Sequence, residues 1–148
     1  MKLLILNGPN LNLLGLREPN IYGHESYADL CARIRAHADA RGIEVRLVQS
    51  NHEGALVDAI QQAYFDGLDG IVLNPGAYTH TSIALLDALK GVGLPAIEVH
   101  ISDPDTREDF RRISYVRAAC MATVKGRGTQ GYLDAIDLLA EHLGEVGA

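Results

Sequence analysis

Gly70-Ile71-Val72-Leu73-Asn74 is the stretch that decides the fold. The run is short, apolar almost throughout, and bounded by Asp69 and by Pro75-Gly76. A strand with one wet face alternates apolar and polar side chains. An unbroken apolar run marks a strand covered on both faces, which belongs in a parallel sheet between two layers of helices. The flanks agree. Upstream, Glu53 to Asp66 has helical character and is closed by Gly67. Downstream, Pro75-Gly76-Ala77-Tyr78 turns the chain into a further helix, capped by Thr79 or Thr81 and running to about Lys90.

The same alternation extends outward. Residues 2–7 read as a buried strand broken by Gly8-Pro9. Ser26 with Asp29 forms a capping box for a helix whose apolar face is Tyr27, Leu30, Cys31, Ile34 and Ala38, and Gly42 ends it. Ile43 to Gln49 is a strand with Ile43, Val45 and Leu47 on one face. Residues 96–100 and 120–125 are two more strands, Arg107 to Arg112 is a short helical turn, and Gln130 to Leu143 is the last helix. Five strand–helix units predict one α/β domain over residues 1–148. The expected fold is flavodoxin-like: a five-stranded parallel sheet of order 2-1-3-4-5 with helices on both faces and a site at the carboxyl ends of the strands. Leu11 to His24 is irregular, and a loop of that length in a small domain is usually functional.

Composition narrows the function. The chain has 148 residues, 47% hydrophobic and 22% charged, as expected of a globular domain. A net charge of −6 argues against a nucleic-acid partner. No apolar run reaches the length of a bilayer span, so no membrane partner is expected. The apolar start at Met1 to Leu6 is too short for a secretion signal, so a cytoplasmic protein is expected. Cys31 and Cys120 lack metal-ligand spacing and read as buried thiols of a reducing compartment.

The chemistry gathers after the strands. In Ala96-Ile97-Glu98-Val99-His100-Ile101-Ser102, alternation puts Glu98 and His100 on one side. A carboxylate there can orient the imidazole or tune its charge, and the turn with the Ser102 hydroxyl offers donors to an anion. The first strand is followed by Asn10, Asn12, Arg17 and Tyr22, the second by Ser50, Asn51 and His52, the third by Asn74, Thr79, His80, Thr81 and Ser82. Arg17 and Tyr22 read either as a solvated arginine beside a packed tyrosine, or as a guanidinium that favours phenolate, lowering a phenol pKa of about 10. His80 is either a surface histidine or a reader of a polyhydroxylated ligand. Neutral hydrogen-bonding groups outnumber acids, which serves Mg²⁺ or Ca²⁺ poorly, and His80 with His100 lacks a third zinc ligand. Gly126-Arg127-Gly128-Thr129-Gln130-Gly131 fits the dinucleotide fingerprint, but no later strand supplies its acid, so it reads as a tight turn.

Five motifs, in order, resemble type II 3-dehydroquinate dehydratase: Asn7-Gly8-Pro9-Asn10-Leu11-Asn12; Arg17-Glu18-Pro19 with Tyr22-Gly23; Gln49-Ser50-Asn51-His52-Glu53-Gly54; Asn74-Pro75-Gly76-Ala77-Tyr78-Thr79-His80-Thr81-Ser82; and Glu98-Val99-His100-Ile101-Ser102. The resemblance implies dehydration of 3-dehydroquinate to 3-dehydroshikimate by anti elimination through an enolate, in the shikimate pathway or in quinate breakdown, with no metal, no organic cofactor and no lysine imine. It implies Tyr22 as the base, Arg17 as its partner, Asn10 holding a water on the enolate oxygen, and His100 as the acid oriented by Glu98. Ile101, Ser102 and Asn74 would hold the carboxylate, and His80 and Arg111 the ring hydroxyls. Asp87 would reach a neighbouring subunit's site in a dodecamer built from trimers. Two segments depart from the family pattern, Asp103-Pro104-Asp105-Thr106 and Lys125-Gly126-Arg127-Gly128. A flavodoxin-like binding module for a nucleotide or sugar acid, and a metal-dependent hydrolase, are the competing readings.

Overall fold

The computed structural model describes residues 1–16, 20 and 24–147, with side chains to residue 144. Arg17 and Tyr22 lie outside the described residues. Five strands form one parallel sheet: β1 (Lys2–Asn7), β2 (Glu44–Gln49), β3 (Gly70–Asn74), β4 (Ala96–His100) and β5 (Ala122–Lys125), in the order β2-β1-β3-β4-β5. This is the expected order. Among the described residues four long helices cover it: α1 (Tyr27–Asp39), α2 (Glu53–Phe65), α3 (Ile83–Val92) and α4 (Gln130–Gly147).

Strand alternation divides the core into two layers. Leu3, Ile5, Val72, Ile97 and Val99 pack with Leu30 and Ile34 of α1 and Ile136 and Leu139 of α4. Leu4, Leu6, Ile71 and Leu73 pack on the other face with Leu56 and Ile60 of α2 and Leu85 and Leu89 of α3. Every residue of β3 is buried, the consequence of its apolar run. Full burial of each such Leu, Ile or Val is worth about 1.5–3 kcal/mol. Ala96 belongs to the α2/α3 layer, so Glu98 and His100, two and four residues on, point to that side too.

The capping box at α1 is present, with both Ser26 and Asp29 engaged. Several element ends differ from the sequence reading. Ser82, not Thr79 or Thr81, caps α3 by accepting from the Leu85 amide at 3.0 Å. Residues Gly76–His80 first wind through a 3₁₀ turn, which uses up the earlier hydroxyls' positions and puts His80 before the helix. β5 starts at Ala122, because Val116–Ala119 forms a 3₁₀ turn that delivers the chain to the sheet late. The expected turn at 107–112 becomes two, Pro104–Thr106 and Asp109–Arg112, since Asp103 caps the first by accepting from the Asp105 amide. The last helix continues past Leu143 to Gly147.

The register aligns Asn7 with Gln49 on one side and with Asn74 on the other, so the strand ends share one edge. Two tight turns meet there. A Cβ on Gly8 would lie 2.3 Å from the Pro75 carbonyl oxygen, and the Gly8 amide donates to the Asn74 carbonyl at 2.8 Å. Backbone atoms cannot step aside as a side chain can. Gly8→Ala is therefore expected to cost at least the ~1–3 kcal/mol of a core overpacking and to push the two turns apart. Urea unfolding measures it; a midpoint equal to wild type would contradict the packing described.

Candidate active site

A cleft opens on this edge. It holds about 190 Å³ of internal free space and opens to solvent at its mouth. Asn10 and Leu14 form one side, Asn74 and Gly76 the floor, His100, Ile101 and Ser102 the end of β4, and Pro104, Arg107 and Arg111 the far wall. Of the residues expected from sequence, the structure thus gathers Asn10, Asn74, His100, Ile101, Ser102 and Arg111 around one space, with Glu98 directly behind His100.

Glu98 is wholly buried and His100 is 7% exposed. His100 Nε2 is hydrogen-bonded to Glu98 Oε2. The same carboxylate accepts from Ser114 Oγ at 3.0 Å, from Arg117 Nε at 3.2 Å and from Arg117 Nη2 at 3.0 Å. Burial pushes the Glu98 carboxyl up, but the hydrogen bonds from His100 and Arg117 outweigh it and hold it at about 2, against an ordinary 4.5. Glu98 is thus a carboxylate at neutral pH and can only accept, so His100 Nε2 carries the hydrogen. The nitrogen left for the cleft is Nδ1. It accepts a proton when the ring is neutral and donates one when the ring is charged.

The depressed carboxyl has a consequence for stability. A group whose pKa falls on folding contributes stability above its unfolded pKa and loses it as pH drops through the folded value. Acid weakening from Glu98 is expected between about pH 4.5 and about pH 2. Thermal unfolding followed across that window should show a fall in midpoint that Glu98→Gln reduces. An identical slope in the variant would contradict the assignment.

Asn74 sits in a second buried network. Its Nδ2 donates to the Tyr132 hydroxyl at 2.8 Å, and its Oδ1 accepts from the Gly76 amide at 3.1 Å. The Tyr132 hydroxyl in turn donates to Asn7 Oδ1 at 2.6 Å. Burial pushes the Tyr132 phenol well above the usual tyrosine range, so it stays neutral and locks the amide's orientation. Asn10 adopts a left-handed backbone, φ 70°, and its amide donates to Asn51 Oδ1 at 3.0 Å, so the second strand's motif positions the first strand's turn. The Ile101 and Ser102 carbonyls accept from Gly128 at 3.0 Å and Gly126 at 3.2 Å. The glycine run after β5 is indeed a turn, and it braces the end of β4.

Two expected residues stand apart. His80 is not in the cleft wall; its Nδ1 donates to the Ile113 carbonyl at 2.7 Å, leaving Nε2. Asp87 is exposed on α3, in a groove with Val57, Tyr64 and Phe65 on the α2/α3 side. Arg111 lines the cleft while paired through Nε with Glu108 at 2.6 Å and stacked over Phe110 at 5.0 Å. Arg107, Ser114, Arg117 and Tyr132 were not picked out by sequence. Arg107 and Arg117 carried only the signal of charge in a loop, and Tyr132 looked like a core aromatic. The two segments that depart from the family pattern pair with each other: Lys125 Nζ lies 3.3 Å from Asp103 and also bonds Asp105. Among the described residues no three His, Cys, Asp or Glu side chains are grouped as metal ligands, and no helix is long and apolar enough to cross a membrane.

A parallel 2-1-3-4-5 sheet with a buried carboxylate bound to an imidazole and with oriented amides along its carboxyl edge defines a flavodoxin-like enzyme of small-molecule chemistry. The chain belongs to the class II dehydroquinase family, which it matches over residues 1–140. It is 53% identical over 139 residues to a 3-dehydroquinate dehydratase of Corynebacterium glutamicum, covering 94% of this chain and 95% of the relative. Among solved structures it is similar to the type II dehydroquinase of Butyrivibrio crossotus, with TM-score 0.94, 54% identity and coverage of 95% and 97%. That of Propionibacterium acnes gives TM-score 0.90, 42% identity and coverage of 95% and 96%.

Proposed function

We propose that this protein removes water from 3-dehydroquinate to give 3-dehydroshikimate, a hydro-lyase step of the shikimate pathway, and that it does so by anti elimination through an enolate. Family membership over nearly the whole chain supports the reaction. The observation that carries the site assignment is His100 in the cleft lining, held through Nε2 by the buried Glu98 carboxylate, which leaves Nδ1 for the substrate.

The chemistry follows from the substrate. The ketone acidifies the protons on the adjacent C2. Tyr22, as phenolate beside Arg17, takes one of them, and the electron pair moves onto the ketone oxygen as an enolate. Asn10, through a held water, stabilises that oxygen. The enolate then reforms the ketone, the C1–hydroxyl bond breaks, and charged His100 delivers its Nδ1 proton to the leaving oxygen. Water departs and a conjugated enone remains. Ile101, Ser102 and Asn74 are assigned to the substrate carboxylate, an assignment supported by their place together in the cleft lining. His80 and Arg111 are assigned to the ring hydroxyls. No lysine lies in these motifs, so no imine is involved.

Purified protein given 3-dehydroquinate and a chelator should generate the ultraviolet absorbance of the conjugated product at an undiminished rate. No absorbance would remove the dehydratase reading, and loss on chelation would favour a metal-dependent enzyme.

Residues 1–148 are read as one catalytic domain. Assembly into a dodecamer of trimers is supported by Asp87's place beside exposed Tyr64 and Phe65, away from the chain's own cleft. Sedimentation showing a fully active monomer would rule it out. A cytoplasmic setting is supported by the free thiols Cys31 and Cys120; export to the periplasm, seen by fractionation, would contradict it.

A further inference from the structure

The 3₁₀ turn Val116–Ala119 follows no strand motif, yet it places a cation on the group that governs His100. Glu98 has two oxygens, and four donor contacts fall on them. Oε1 takes Ser114 Oγ and Arg117 Nε; Oε2 takes Arg117 Nη2 and His100 Nε2. The guanidinium is therefore bidentate, the strongest way to hold a carboxylate. Arg117 is 38% exposed at its side chain while Glu98 is fully enclosed, so the arginine enters from solvent and reaches inward.

A purely structural need would be met by any donor that satisfied the buried oxygens. A full positive charge does more. It draws on the same carboxylate that otherwise steadies the charged form of His100. We propose that Arg117, held beside Ser114, is a positioning residue for the dehydration: it shares Glu98 with His100 and thereby sets how far up in pH His100 remains charged as the acid. The proposal rests on the reading of His100 as the proton donor to the leaving hydroxyl.

The surroundings leave this role to Arg117. Cys120, near Glu98, is kept as a neutral thiol because burial pushes it up to about 12. Lys125 is the register neighbour of His100 on β5 but is engaged by Asp103 and Asp105. From β3, the neighbour of Glu98 is Leu73. Arg107 and Arg111 share the cleft wall with His100, and Arg111 is paired with Glu108. Asp105 and Arg112 act on the outer side: Asp105 feels Lys125, Arg117 and Arg112.

The test is kcat against pH for wild type, Arg117→Met, Arg117→Gln and Arg117→Lys, with His100→Ala as reference and circular dichroism to check folding. With the guanidinium gone, Glu98 serves His100 alone, and the descending limb should move to higher pH by roughly one unit, about tenfold in rate on that limb. Arg117→Lys restores charge and should return the limb to within a few tenths of a unit of wild type. A folded neutral variant whose profile overlays wild type overturns the proposal, as does a lysine variant displaced as far as the neutral ones. Should both neutral variants fail to fold, the lysine variant decides: an ammonium cannot reproduce the two-point contact with Glu98, so its limb should lie measurably above wild type, and an overlay with wild type overturns the proposal. If His100→Ala keeps wild-type rates, it is the assignment of His100 that fails, whatever Arg117 does.

Discussion

His100→Ala is expected to reduce kcat by roughly 10²–10⁴-fold while leaving the protein folded, the range of a lost general acid. The residue is 7% exposed and stands at the cleft end of β4, so removal of its side chain opens space beside the substrate rather than a void deep in the core. Arg117 and Ser114 still satisfy Glu98, so the buried carboxylate is not abandoned. Hydroxide is a poor leaving group from carbon, and without a proton at Nδ1 the second half of the elimination slows. A substrate-like anion should bind the variant nearly as well as wild type. Fluorescence or calorimetric titration checks that. If kcat is retained, the leaving hydroxyl is protonated by another group.

Tyr22→Phe should match that loss, and its contrast with Arg17→Ala separates base from tuner. Phenylalanine keeps the ring and removes only the oxygen that takes the C2 proton, so the expected fall is again at least ~10²-fold at every pH. Arg17→Ala leaves the phenol in place without its guanidinium, and the phenol then ionises near its ordinary value of about 10. Its residual rate should climb with pH as phenolate returns, whereas Tyr22→Phe should show no recovery. A flat profile for Arg17→Ala would confine the arginine to substrate or transition-state charge. Near wild-type rates in folded Tyr22→Phe would place the base elsewhere.

Much of the architecture was legible because local signals and tertiary demands coincide. The apolar run of β3 requires two covering layers, and strand alternation alone puts Glu98 and His100 together. The ends of elements were less legible where several residues offer the same service. Thr79, Thr81 and Ser82 can each cap a helix, and only the 3₁₀ turn before them selects Ser82. Arg117 was invisible for a different reason. Its partner lies 19 residues back, and nothing periodic in the 113–119 segment announces that it folds across β4. Tyr132 hides in the apolar pattern of α4, yet its hydroxyl fixes Asn74 from 58 residues away. The acidic 103–106 and basic 125–128 segments looked like unrelated departures from the family pattern. Paired through Lys125, they form a single brace behind the cleft wall.

The central claim, an anti elimination in which base and acid act from opposite sides of the ring, is tested most directly with 3-dehydroquinate carrying deuterium stereospecifically at C2. When the label is anti to the departing hydroxyl, the 3-dehydroshikimate formed should contain none of it, by mass spectrometry. When the label is syn, the product should retain it. The reverse pattern would contradict the account and would mean a proton removed from the same face as the leaving group.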